Sequence, residues 1–169
     1  MLSPYRMSRV ILPPHYPDST GPMVFLAGPI QCAPPWQADA IGYLHELMPD
    51  LPIANPRRGY PPGEFEYAAQ VDWETHHLRQ AAAGGVIRFW LANEETHRCD
   101  RAYAQTTRFE LAEWKVRHER DGVKLAVGIG EGFTGARYIR HRFMQDCPTV
   151  PVCDTLRTTC ESAVRLLNE

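Results

Sequence analysis

The chain has 169 residues, 44% of them hydrophobic and 22% charged, with a formal net charge of -2. That balance suits one folded domain with its own core and excludes a disordered tail or a fibre. The basic residues are scattered, so the clustered positive potential that a polymeric nucleic-acid partner requires is missing.

No apolar stretch reaches bilayer-spanning length, and no basic start precedes an apolar run at the N-terminus. We therefore expect no membrane partner and a cytoplasmic location. Cys32, Cys99, Cys147, Cys153 and Cys160 form an odd set without CxxC spacing, which predicts reduced thiols and no structural zinc.

Residues 1–22 read as an irregular N-terminal arm, because the short run Val10-Ile11-Leu12 is followed by Pro13, Pro14, Pro17 and Pro22. The folded domain is expected over 23–169. Its first strand is the apolar run Met23 to Ala27, stopped by Gly28-Pro29. Trp36, Ala40, Tyr43, Leu44 and Leu47 recur at helical spacing until Pro49. Leu51 to Ala54 is a short strand, and the loop Asn55-Pro56-Arg57-Arg58-Gly59 with Pro61-Pro62-Gly63 can continue neither element.

A helix is predicted from Tyr67 to Ala82, ended by Gly84-Gly85, and a strand over Val86 to Leu91. The polar stretch Asn93 to Gln105 lacks periodicity and reads as an insertion loop. A helix follows from Thr106 to Arg120, carrying Phe109, Ala112, Trp114 and Val116. Lys124 to Val127 is the fourth strand, with Gly128, Gly130, Gly132 and Gly135 in a flexible loop beyond it. A short helix at 138–144, a strand at 150–152 and a helix at 156–167 close the chain. Strands alternating with helices at this spacing predict an α/β fold with a parallel sheet covered on both faces.

In such a sheet the ligand site lies beyond the carboxyl ends of the strands. That rule selects the loop Ala27-Gly28-Pro29-Ile30, where Gly28 allows close approach. It also selects Glu110, read as a first-turn carboxylate of its helix facing the cleft. The macrodipole alone would favour a carboxylate there, and Asp72 and Glu74 on the preceding helix invite the same two readings.

Six fragments in order carry a resemblance: Val24-Phe25-Leu26-Ala27-Gly28-Pro29-Ile30, Trp36-Gln37, Asn55-Pro56-Arg57-Arg58, Gln70-Val71-Asp72-Trp73-Glu74, Phe89-Trp90 and Phe109-Glu110-Leu111. Together they resemble the nucleoside 2-deoxyribosyltransferase-like family from about Val24 to Gly132. The resemblance implies a flavodoxin-like three-layer sandwich with about five parallel strands, a homodimer or larger assembly, and cleavage of the N-glycosidic bond of 2'-deoxynucleosides. It implies that Glu110, in Glu110-Leu111-Ala112, is the nucleophile, with Ala112 where the family usually has glycine. It also implies an acidic helper on the preceding helix: Glu74, four residues before Leu78, or Asp72.

The insertion at 93–105 departs from the short connection of the family's transferases. It leaves the base-binding role open among Asp100, Tyr103 and Gln105. The family's supporting N-terminal tyrosine is also unmatched. The residue types nonetheless suit the chemistry, because a carboxylate beneath C1' stabilises the positive charge that builds on the sugar and then traps it as an ester. By analogy with retaining glycosidases the two carboxyls would stand about 5 to 5.5 Å apart.

Gly28, Pro29, Ile30, Trp36, Arg57, Arg58 and Trp90 are the expected substrate-binding residues. The arginine pair offers a bidentate grip on a 5'-phosphate, and the aromatics a surface for stacking. Trp73 and Phe89 are weighed with Trp36 and Trp90 as mostly core. His76, His77 and His97 match no metal motif, so neither metal nor cofactor is expected. The expected activity is transfer or hydrolysis of a deoxyribosyl group on a small nucleoside or nucleotide. The alternatives are a hydrolase for a nucleoside monophosphate or modified nucleoside, and a silent nucleotide-binding module.

Overall fold

The computed structural model describes residues 9–18, 21–57 and 60–169. Among them a single sheet of six parallel strands runs in the order β1-β3-β2-β4-β5-β6. The strands are β1 Val10–Ile11, β2 Val24–Ala27, β3 Ile53–Ala54, β4 Val86–Leu91, β5 Leu125–Ile129 and β6 Val152–Cys153. The helices are α1 Trp36–Leu47, α2 Tyr67–Gly84, α3 Gln105–Asp121, α4 Ala136–Asp146 and α5 Leu156–Leu167. This is a flavodoxin-like three-layer sandwich, the parallel sheet covered on both faces that the alternation predicts, with one strand added at the edge.

The added strand corrects the reading of 1–22 as irregular throughout. Val10 and Ile11 pair in parallel with Ile53 and Ala54, and the amides of Ile53 and Asn55 donate to the carbonyls of Arg9 and Ile11. A two-residue strand has no periodicity of its own to read. Its partner supplies the conformation.

Side chains alternate between the two faces of each strand. Phe25, Ala27, Ile87, Phe89, Leu91, Leu125 and Val127 project toward one layer, where they meet Trp73 and Leu78 of α2, Leu111 and Trp114 of α3 and Phe143 of α4. Val24, Leu26, Val86 and Ala126 project the other way, onto Trp36, Ala40 and Leu44 of α1 and Cys160 and Ala163 of α5. β2 and β5 are buried on both faces and so read as unbroken apolar runs, and in β4 the run is broken by Arg88 alone, itself fully buried.

One helix face and one loop differ from the expectation. On α3 the buried positions are Thr107, Leu111, Trp114 and Lys115, while Phe109 is 76% exposed and Val116 also faces outward. The loop predicted over Gly128 to Gly135 is shorter, because Gly128 and Ile129 belong to β5. The Gly84-Gly85 stop also has a packing reason: a Cβ on Gly85 would sit 1.9 Å from the Met23 carbonyl oxygen. All five cysteines are free thiols. No helix of the described residues is long and apolar enough to cross a membrane.

Candidate functional site

From β2 the chain crosses to β3 on one side, and from β3 it crosses back to β4 on the other. The segments leaving β2 and β4 therefore diverge and open a crevice at the carboxyl edge, as at the switch point of doubly wound sheets. A cavity of about 340 Å³ occupies it. Its walls are the loop Gly28 to Cys32, the first turns of α2, the segment between β4 and α3, and the start of α3.

The first loop is set by close packing. Trp36, from the start of α1, donates its indole N–H to the Pro29 carbonyl at 2.9 Å. At Gly28 a Cβ would lie 2.4 Å from the Trp90 carbonyl oxygen and 2.6 Å from Cζ2 of Trp36. Gly28→Ala must therefore push the loop into the cavity. We expect it to cost about 1–3 kcal/mol in a urea melt and to weaken any ligand of this pocket.

The insertion is pinned across the opening. The amides of Glu95 and Thr96 donate to the Cys32 carbonyl at 2.7 and 3.3 Å. The Arg101 guanidinium donates to the Gln31 side-chain oxygen. The Tyr103 hydroxyl donates to the Ala92 carbonyl at 2.7 Å, and burial, with the Glu94 carboxylate next, holds that hydroxyl protonated well above its usual range.

Glu74 and Glu110 both line the cavity. Because α3 begins at Gln105, Glu110 stands in the second turn and not the first, beyond the strongest reach of the helix N-terminus. Burial, the Glu74 carboxyl and the Glu113 carboxyl, in that order, push its pKa up to about 8. The macrodipole explanation of this residue would move it the opposite way. Glu74 instead accepts a hydrogen bond from Gln70 Nε2 at 2.7 Å.

Of the expected site residues, Glu110, Glu74, Gly28, Pro29 and Ile30 come together in the cavity. Asp72 is exposed, since two residues before Glu74 is about 200° around the helix. Trp36 backs the loop without lining the pocket, and Trp90 packs on the α1 and α5 layer because it alternates with Phe89 and Leu91. Arg57 is turned away, its Nη1 donating to Gln37 Oε1 at 3.1 Å. Arg58 lies outside the described residues. Trp73 and Phe89 are core.

Of the three candidates for base contact, Tyr103 and Gln105 line the cavity, whereas Asp100 is held by Arg98 on the surface at 2.7 Å. The sequence reading missed Gln70, Glu94 and Arg101 as lining residues. Gln70 had a legible signal, its i to i+4 spacing to Glu74. Glu94 and Arg101 sit in an aperiodic segment and had none. Among the described residues no group of three or more His, Cys, Asp or Glu could hold a metal ion.

Fold and cavity thus define a doubly wound α/β domain with a carboxyl pair at its switch point. No protein-family model matches the chain, and no curated protein matches it.

Proposed function

We propose that the protein cleaves the N-glycosidic bond of a 2'-deoxynucleoside, transferring the sugar to another base or to water. The observation that carries this reading is the pair Glu110 and Glu74 in one cavity at the switch point, in the ordered fragments that resemble the deoxyribosyltransferase-like family. Glu110 attacks C1' as a carboxylate, the C1'–N bond breaks, and Glu74 delivers a proton to the departing base. A second base or water then resolves the ester. Tyr103 and Gln105 are the groups best placed to meet the base, and Gly28 to Ile30 the sugar. By the same resemblance the working form is a homodimer or larger assembly.

The test is a panel of deoxynucleosides with and without acceptor bases. Release of base with exchange supports transfer, and release without exchange supports hydrolysis. No turnover in the panel, with ligand affinity that survives Glu110→Ala, leaves a binding module instead.

A second reading, a nucleoside 5'-monophosphate as substrate, is favoured by Arg101. It is a guanidinium among lining carboxyls, and it takes the place expected for Arg57. If the substrate is a monophosphate, Arg101→Ala should raise its KM at least tenfold and leave the nucleoside's KM unchanged.

A further inference from the structure

Gln70 and Glu74 are one helical turn apart on α2, so their side chains meet on one face. Gln70 is 3% exposed, and its amide is engaged at both ends. Nε2 donates to the Pro56 carbonyl at 3.1 Å and to Glu74 Oε1 at 2.7 Å, while Oε1 accepts from the Tyr60 hydroxyl at 3.1 Å.

The Pro56 carbonyl carries no proton and can only accept. The amide nitrogen must therefore face it, and the flipped rotamer would set the Gln70 oxygen against both that carbonyl and the carboxylate. Glu74 Oε1 accordingly receives an N–H at the short distance typical of a charged acceptor. A donor held this way favours the ionised carboxyl. Glu110 has the opposite surroundings. Among the described residues none donates a hydrogen bond to its carboxyl, and Glu74 and Glu113 oppose a second charge there.

We infer that Gln70 is a positioning residue: it makes Glu74 the charged member of the carboxyl pair and leaves the pair's single proton on Glu110. This rests on the reading proposed above for its catalytic consequence. As the C1'–N bond loosens, positive charge on the sugar stabilises the Glu110 anion. The proton then passes from Glu110 to Glu74 through a water or sugar hydroxyl between the two carboxyls, and from Glu74 to the base nitrogen. Glu110 closes its bond to C1', the base leaves neutral, and Glu74 regains its charge. One proton and one negative charge are conserved from start to finish. Environments that separate two carboxyls in this way are how acid and base roles are divided at neutral pH.

The experiment titrates the glutamate carboxyl carbons by ¹³C NMR in the full chain, with Glu74→Gln and Glu110→Gln to assign the signals. In the wild type, Glu74 is expected to ionise first and Glu110 last. Gln70→Leu removes the donor, and Gln70→Glu replaces it with an acceptor. Both should raise the Glu74 midpoint by about one pH unit or more and bring the two midpoints closer together.

In base release the same variants should shift the pH profile of kcat/KM and leave KM little changed. Wild-type Glu110 ionising before Glu74 overturns the inference, as does an unmoved Glu74 midpoint in either folded variant. If neither variant folds, the wild-type order of ionisation decides. The titration needs no turnover, so a chain that releases no base from any substrate sinks the proposed function and leaves this test standing.

Discussion

Glu110→Gln is expected to lower base release by about 10³-fold or more and, at the same time, to make the protein more stable at alkaline pH. The two effects share one cause. In the folded chain burial and the neighbouring carboxyls raise the Glu110 pKa from 4.5 to about 8, so the native state holds this proton more tightly than the unfolded chain does. Its contribution to stability is complete below about pH 4.5, declines as pH rises through the window to about 8, and is gone above it. Glutamine keeps the shape and removes the titration. The stability gap in favour of the variant should therefore grow across that window to on the order of 2–4 kcal/mol, discounted for the residue's remaining contact with water.

Urea melts at pH 5 and pH 9 measure the gap. A variant equally stable relative to wild type at both would show that the carboxyl is not forced to hold its proton by the fold. In activity, a pair that works with one shared proton gives a bell-shaped kcat/KM whose alkaline limb falls near pH 8. The two limbs belong to the pair and not to either glutamate alone. A rate that keeps rising beyond pH 9 would mean that the proton plays no part.

Trp73→Ala should be the most damaging change to the fold itself, costing about 3–5 kcal/mol. Trp73 is fully buried. It packs on Phe25 of β2 with ring centroids 6.3 Å apart and on His77 at 4.1 Å, and its indole donates to the His15 carbonyl at 2.7 Å. It therefore ties α2 to the sheet and holds the segment after β1 against α2. Trp73→Phe retains most of the volume and loses the bond to His15, so its cost should be nearer 1 kcal/mol. Denaturation monitored by far-UV circular dichroism distinguishes the two. Nearly equal costs would mean that the ring's bulk does not hold the helix in place.

Where an element announces itself locally, it was legible in the residues. Val86 to Leu91 is a run apolar except for Arg88, between a glycine pair and a polar stretch, and Trp36 to Leu47 is a helical repeat between prolines. Both have the bounds that those signals predict. The alternation of such elements determined the parallel three-layer fold, since parallel strands need crossovers. It also directed attention to the strand ends where Glu110, Glu74 and Gly28 lie.

Tertiary structure decided what depends on orientation and on neighbours distant in the chain. Val10-Ile11 became a strand because β3 accepted it. Helical pitch left Asp72 outside the cavity while Glu74 lines it. Strand alternation sent Trp90 to the far layer, and Gln37 drew Arg57 away. The proton on Glu110 is of the same kind. Sequence placed a carboxylate near a helix start, where the backbone would favour its charge, but burial beside Glu74 and Glu113 reversed the preference, because desolvation and like charge act through space and outweigh the local dipole.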